Sequence, residues 1–209
     1  FLMIRRPPRS TQSRSSAASD VYKRQKQSRS YRRFDESVRL DRQQLEGLVN
    51  LARLSPSAAN RQPLKYIISW EPQKNALIFP CLAWAGYLTH WQGPAEGERP
   101  SGYIIILGDT EISSTFGIDP GIAAQSIALG ATAQGLGACM LSSIKQAKLR
   151  EALKIPERYE ILLVIALGKP QEKVVIEEVG EDGDIKYWRD ELQVHHVPKR
   201  PLKEIILDL

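Results

Sequence analysis

The sequence predicts a mixed fold, α/β or α+β, in which helices and a sheet form three layers. Short apolar runs typical of buried strands lie at 64–70, 101–109 and 159–168. Helical patterns at 42–54 and 119–134 lie between these runs. Because helices and strands are interspersed along the chain, we expect helices to pack against a central sheet.

The first helical pattern has recognisable ends. Asp41 and Gln44 form the pattern of a capping box, and apolar residues then recur at helical spacing. We expect this helix to run to about Leu54, because Pro56 cannot continue it.

The second helical pattern, "DPGIAAQSIALGATAQGLGACM", is small and apolar on every side. Asp119 suits the N-cap, Pro120 the first helical position and Gly135 the C-terminal stop. A helix that is apolar all round is buried all round. We therefore expect a central helix whose small residues meet a second copy of the chain in a dimer.

The basic charge belongs to the first 25 residues. The net charge is +5, and residues 1–25 carry six basic side chains and one acidic one, which leaves 23 of each sign elsewhere. This segment cannot bury enough surface to fold alone. We expect residues 1–25 to be a disordered, non-native tail, similar to translated adapter sequence, and residues 26–209 to form the domain. The alternative is a basic arm that binds nucleic acid.

Composition limits the location and the metal chemistry. Cys81 and Cys139 lie far apart in apolar surroundings, which favours free thiols in a reducing, cytoplasmic compartment. The sequence has no apolar run long enough to span a membrane. No cysteine spacing suits a metal, and the neighbours His195 and His196 would point to opposite faces of a strand. We expect no metal, membrane or nucleic-acid partner.

The connection "SPSAANRQP" at 55–63 combines small side chains with two carboxamides. Pro56 sets the turn, and the small residues allow the main chain to approach a flat partner. Asn60 and Gln62 each offer a donor and an acceptor in one plane, which matches the pyrimidine edge of a flavin. The alternative is a loop whose amides satisfy its own backbone.

Two basic clusters could meet at one phosphate. "SRSYRRF" at 28–34 places three arginines beside two hydroxyls, and "HHVPKRPL" contains Lys199 and Arg200. Arginine forks suit phosphate, although such clusters can also be solvated surface. After Pro170 the chain is charged and irregular, which we expect to be an arm laid over a surface.

Two further segments, one aromatic and one glycine-rich, are considered as functional sites. "WAGYLTHWQGP", which contains His90, is either an aromatic cover for the core or a lid that selects aromatic substrates. "GLGACM" keeps only part of a dinucleotide fingerprint, so we expect no Rossmann site.

Taken in order, "RSYRRF", "LSPSAANRQPLKYII", "GIAAQSIALGATAQGLGACM" and "IALGKP" resemble the FMN-dependent nitroreductase family. The resemblance covers about 28–209, and the segment from "GDIKYWRDEL" onward resembles one branch of the family. It implies a three-layer α-β-α fold of the α+β class, in an intertwined homodimer with two FMN molecules at the interface and a C-terminal arm around the partner.

The resemblance also implies cofactor contacts, although it assigns no catalytic residue. Three groups of residues match the contacts to the phosphate and ribityl chain, to the ring from the other subunit, and to the strip that faces flavin N5. They are Arg29, Ser30 and Arg32 (with Lys199 and Arg200 at the phosphate); Pro56, Ser57, Ala58 and Asn60; and Leu141 and Ser142. The chain departs from the family pattern at Ser28, at Leu64 and in its altered N-terminal helix.

The activity implied is hydride transfer from NADH or NADPH through flavin N5 to nitroaromatic, quinone or similar electron-poor acceptors. Arg32 is the candidate cation at N1/O2, and a main-chain N–H near Ser142 is the candidate donor to N5. The alternative is a flavin-binding store or sensor without turnover.

Overall fold

The computed structural model describes residues 14–208, and its centre is a five-stranded antiparallel sheet. The strands pair in the order β1-β5-β3-β2, and β4 also pairs with β5. They are β1 (Phe34–Asp35), β2 (Leu64–Ser69), β3 (Gly102–Asp109), β4 (Gly137–Leu141) and β5 (Tyr159–Pro170). The three apolar runs predicted as strands are therefore β2, β3 and β5.

Helices lie on both faces of this sheet. The α-helices of the described residues are α1 (Arg14–Gln27), α2 (Arg42–Arg53), α3 (Pro72–Ile78), α4 (Asp119–Ala133), α5 (Gln146–Leu153) and α6 (Leu202–Ile205). The alternation of β3 divides the core, because Ile104 and Ile106 pack with α2 and α4. Ile105 and Leu107 pack on the opposite face with α3 and α5. The predicted three-layer α-β-α arrangement is confirmed.

The ends of α2 and α4 follow local chemistry. Asp41 and Gln44 form both hydrogen bonds of the capping box at the start of α2. Gly135 adopts φ of +70° just after α4 and ends it. The N-cap of α4 is Ile118 and not the predicted Asp119, because the Asp119 carboxylate bonds to the loop after α2 instead.

The segment after Pro170 is more regular than the sequence suggested. It forms a small sheet in the order β6-β8-β7, from β6 (Val174–Glu178), β7 (Trp188–Arg189) and β8 (His195–Lys199). Strands β6 and β8 run parallel and β7 is antiparallel to β8. The charged side chains face outward or pair with one another, so their charge did not prevent strand formation.

The N-terminal segment differs from its prediction where the structure describes it. Residues 14–27 form α1, whereas we expected residues up to 25 to be disordered. The helix is held against α4, where Gln125 Nε2 donates to Gln25 Oε1 at 3.1 Å. Residues 1–13 of the predicted tail lie outside the described residues. Within 14–208, none of the helices has the length and apolar character needed to cross a membrane.

Candidate functional site

A cavity of about 330 Å³ lies between the end of α1, α4, β4 and β8. Four of the predicted cofactor-binding residues line it: Arg29, Ser30, Arg32 and Lys199. The structure therefore brings together members of both basic clusters, which lie about 170 residues apart in the sequence. Three cations and one hydroxyl around one cavity form a donor set that suits a phosphate.

The chain positions these residues through backbone pairing. Ser30 forms a parallel bridge with Ala138 of β4, and Tyr31 N donates to Ala138 O at 3.1 Å. The segment 28–33 is thereby fixed beside β4. Strand β8 carries Lys199 to the same cavity and is held by hydrogen bonds from His195 N to Lys173 O and from Val179 N to Lys199 O.

Several donors at this cavity have no partner of their own. The Nε atoms of Arg29 and Arg32 and the Nδ1 atom of His195 are buried without a hydrogen-bond partner among residues 14–208. Burial also lowers the pKa of the Arg29 guanidinium below its usual value. Buried donors without partners are costly, and an anion with several acceptor oxygens would satisfy them. The residues present therefore fit the phosphate end of FMN.

Arg32 is the most constrained of the four. Its Nη1 lies 3.2 Å from Ser30 O and 3.1 Å from His195 Nε2. Its guanidinium carbon lies 4.6 Å from the centre of the Tyr187 ring, which is a cation–π contact. Its main-chain N–H donates to the carboxylate of Glu172.

A second cavity, of about 200 Å³, continues along β4. It is lined by Leu141 and Ser142, the residues predicted to face flavin N5, and it shares Arg32, Met140 and Tyr187 with the first cavity. The edge of β4 therefore runs from the cluster of cations to the predicted N5 position. This order along one strand suits a long ligand with an anionic end and a flat end.

The loop 55–63 borders a different cavity from the one that the cations line. Pro56 and Ser57 line a third cavity of about 150 Å³, which shares no lining residue with the other two within the described part of the chain. The hydroxyl of Ser57 donates to Asp119 Oδ2 at 2.6 Å, and Ala58 N donates to Asp119 Oδ1 at 3.0 Å. Ala58 and Asn60 are exposed, and Asn60 has φ of +53°. None of these four predicted contacts lines either of the two cavities that contain Arg32.

Arg200 is the predicted phosphate contact that does not reach the first cavity. Its Nη1 lies 3.6 Å from Glu204 Oε2 in an exposed ion pair. Lys199 and Arg200 are neighbours at the end of β8, so they diverge to different surroundings.

Sequence reasoning missed three residues at the site: Glu172, Tyr187 and His195. Glu172 accepts from Arg33 N at 3.2 Å and from Arg189 Nη2 at 2.8 Å, in addition to Arg32 N. These contacts link positions up to 140 residues apart, so no local sequence pattern predicts them. The prediction that His195 and His196 diverge is confirmed, since His195 lines the cavity and His196 contacts Glu177 and Asp190.

The aromatic segment covers part of the core, as one of its two predictions had it, and borders the second cavity; its role as a lid that selects substrates stays a prediction. Trp84 packs in the core and also lines the second cavity. Tyr87 contacts Tyr187 with ring centres 5.0 Å apart, and Trp91 lies 4.4 Å beneath the Arg189 guanidinium. His90 is exposed. Within residues 14–208 no group of three side chains suits a metal ion.

Known proteins share part of this sequence and its fold. The model of the Nitroreductase family matches residues 26–83 and 100–169. No curated protein matches the sequence significantly. The match omits 84–99 and everything after 169, which includes Glu172, Tyr187 and His195.

Several solved structures share the fold. A nitroreductase family protein from Streptococcus pneumoniae TIGR4 has a TM-score of 0.67 and 19% identity, covering 90% of this chain and 99% of that one. An FMN-dependent nitroreductase from Clostridium difficile R20291 has a TM-score of 0.56 and 24% identity, covering 69% and 84%. A protein of Parabacteroides distasonis ATCC 8503, provisionally named NADH dehydrogenase/NAD(P)H nitroreductase, has a TM-score of 0.62 and 22% identity, covering 74% and 89%. Because the family model matches more than half of the sequence, this chain belongs to the nitroreductase family.

Proposed function

We propose that the protein is an FMN-dependent oxidoreductase that takes hydride from NADH or NADPH and reduces nitroaromatic, quinone or similar electron-poor compounds. Its family places it among the oxidoreductases. The observation that carries the proposal is the convergence of Arg29, Ser30, Arg32 and Lys199 on one cavity that continues along β4 to Ser142.

The residues divide the work of holding FMN. Arg29, Ser30 and Lys199 would bind its phosphate through charge-assisted hydrogen bonds. Bound FMN supplies the redox chemistry, accepting two electrons as hydride and passing them to the acceptor. Arg32 would stabilise negative charge at the N1/O2 edge, because a fixed cation in a partly buried site acts strongly on nearby charge. The exposed end of β4 at Ser142 would offer main-chain N–H groups to N5.

We also propose a homodimer that completes each site. Within one chain, the loop 55–63 lines neither of the cavities that contain Arg32, so a partner's loop would have to cover the flavin ring. The last helix and the residues after it expose Leu202, Ile205, Ile206 and Leu207, which are between 58% and 72% exposed. Such an apolar segment suits an arm that packs on a second copy.

We propose a cytoplasmic location for the protein and a non-native origin for its N-terminal segment. Cys81 and Cys139 are free and buried, in keeping with a cytoplasmic location. We propose that residues 1–25 are a non-native addition to the domain 26–209. A chain that starts at residue 26 should then retain FMN, whereas a nucleic-acid-binding arm would lose its ligand on this truncation.

Anaerobic titration of the FMN-loaded protein tests the activity. We expect NADH or NADPH to bleach the yellow flavin, and a nitro, quinone or similar acceptor to restore the colour after excess nicotinamide is removed. If the protein binds FMN and neither nicotinamide bleaches it, the protein is a flavin store or sensor instead.

A further inference from the structure

Arg32 is held at both ends by side chains that lie outside the segments shared with the family model. At the main chain, the Glu172 carboxylate accepts from the N–H groups of Arg32 and Arg33. The same carboxylate bonds Arg189, whose side chain is 7% exposed while that of Glu172 is 2% exposed. Because this buried ion pair holds the Glu172 carboxylate in place, the carboxylate fixes the main chain of Arg32 and so the position of its Cα.

At the other end, the guanidinium meets His195, which is fully buried. Arg32 Nη1 lies 3.1 Å from His195 Nε2. Arginine nitrogens can only donate, so Nε2 must be the acceptor. His195 therefore carries its proton on Nδ1 and is neutral when this hydrogen bond is formed.

The surroundings of His195 favour the neutral imidazole. Burial, together with the nearby charges of Arg32 and Arg189 and with His196, lowers the pKa of His195 to about 4. Lys199 lines the same cavity, and the Tyr187 ring lies 5.3 Å from the imidazole ring, centre to centre. Within the described residues no carboxylate forms a hydrogen bond with the His195 ring, since Nε2 bonds Arg32, Nδ1 has no partner and Glu172 is paired with Arg189.

We propose that His195 is a positioning residue that uses Nε2 as a neutral acceptor to hold the Arg32 guanidinium at the junction of the two cavities. This proposal rests on the proposed function, because the affected property is the affinity of the site for FMN. The hydrogen bond directs one nitrogen of Arg32 toward His195 and leaves the remaining donors, including the unpartnered Nε, for a ligand. Without it, only the Ser30 carbonyl and the Tyr187 ring would hold the guanidinium, and FMN binding would have to complete its ordering, at a cost in affinity.

A matched pair of variants separates the hydrogen bond from the bulk of the ring. In His195→Gln, the side-chain oxygen can reach the place of Nε2, whereas His195→Asn carries the same amide one methylene shorter and cannot reach it. We expect the FMN dissociation constant, measured by quenching of flavin fluorescence, to rise by less than about threefold in His195→Gln and by about tenfold or more in His195→Asn. An equal loss in both variants would overturn the proposal.

A double-mutant cycle tests whether the effect passes through Arg32. In an Arg32→Ala background, His195→Asn should change the FMN dissociation constant by less than about twofold, because the group that it positions is gone. A loss as large as in the wild-type background would show a merely structural role and would contradict the inference.

The tautomer provides a readout that needs no flavin. Nitrogen-15 shifts of the imidazole in the wild-type protein near neutral pH should show a protonated Nδ1 and an unprotonated Nε2 on His195. Protonation at Nε2, or on both nitrogens, would overturn the proposal. If the tautomer is as expected and the protein nevertheless binds no FMN, the proposed function fails and the positioning of Arg32 stands.

Discussion

Asp119 and Ser57 are joined by a hydrogen bond of 2.6 Å from the serine hydroxyl to Oδ2 of the buried carboxylate. The same hydroxyl oxygen accepts from Gln62 N at 3.0 Å, and Oδ1 of Asp119 accepts from Ala58 N. The first turn of α4 therefore sets the shape of the loop that is predicted to cover a flavin ring. The Ser57 hydroxyl is already used in this arrangement, so the loop would present its main chain and not this hydroxyl to a ligand.

Removing the carboxylate should release the loop. We expect Asp119→Ala to lower the free energy of unfolding by about 2–4 kcal/mol, because the hydrogen bonds from Ser57 Oγ and Ala58 N to this buried carboxylate are lost. Urea denaturation measures this loss. Ser57→Ala, which removes one partner and leaves the Ala58 bond, should cost about 1 kcal/mol. Equal costs for the two variants would contradict the role assigned to Asp119.

Removing the guanidinium of Arg32 should weaken FMN binding. We expect Arg32→Ala to raise the FMN dissociation constant by roughly 10- to 100-fold, the loss of one or two charge-assisted contacts. Flavin retained after gel filtration and fluorescence titration both measure it. Lys148→Ala, which removes an exposed positive charge from α5, is the matched control and should leave the constant unchanged. Full yellow colour in the Arg32 variant would refute the assignment of this residue.

A methyl group at Gly108 should disturb the packing on the α4 side of the sheet, because Gly108 pairs with Leu64, which packs against that side of the core. A Cβ there would lie 2.3–2.5 Å from the ring of Phe116, which is 9% exposed. We expect Gly108→Ala to cost about 1–3 kcal/mol by overpacking. Gly121→Ala in α4 is the control, since its Cβ would meet nothing within 4 Å. Thermal denaturation should show a lower Tm for the first variant only; equal melting of the two would show that Phe116 moves aside freely.

The small C-terminal sheet should be more stable at acidic than at basic pH because of His196. Its Nδ1 lies 3.0 Å from Glu177 Oε2 and its Nε2 lies 3.2 Å from Asp190 Oδ2. Partial burial opposes protonation, but the hydrogen bonds to Asp190 and Glu177 outweigh it and raise the pKa of His196 above 6.5. A raised folded-state pKa gives stability that is complete below the unfolded pKa and is lost as pH rises through the folded one.

His196→Gln should therefore lower the Tm more at about pH 5.5 than at about pH 8.5. The exposed His90, changed to Gln as a control, should show no such difference between the two pH values. A deficit of His196→Gln that is the same at both pH values would mean that the ion pairs contribute nothing.

The central sheet and its two covering helices could be predicted because their signals are local. Apolar runs in the sequence predicted β2, β3 and β5, and the capping box predicted the start of α2. Strand β4 was harder to predict, because Gly137–Leu141 continues the small, apolar composition of α4. The two-residue strands β1 and β7 depend on hydrogen bonds to distant partners, which no short window of sequence contains.

The residues of the candidate site likewise divide into those with a local sequence signal and those without one. Arg29, Ser30, Arg32 and Lys199 were found because clustered basic residues are visible in the sequence, and the fold places them together. Glu172 and His195 were not assigned, because each acts through a contact with Arg32, which lies 140 and 163 residues away from them in the sequence. Arg200 has the same chemistry as its neighbour, and only the direction of the chain after β8 separates their surroundings.

The affinity for FMN compared with that for riboflavin tests the account most directly, because the two ligands differ only in the phosphate. Titration of the purified, flavin-free protein with each ligand should show one site per chain and an FMN dissociation constant at least about 100-fold below that of riboflavin. Equal affinities, or no binding of either ligand, would contradict the claim that Arg29, Ser30, Arg32 and Lys199 form a phosphate site.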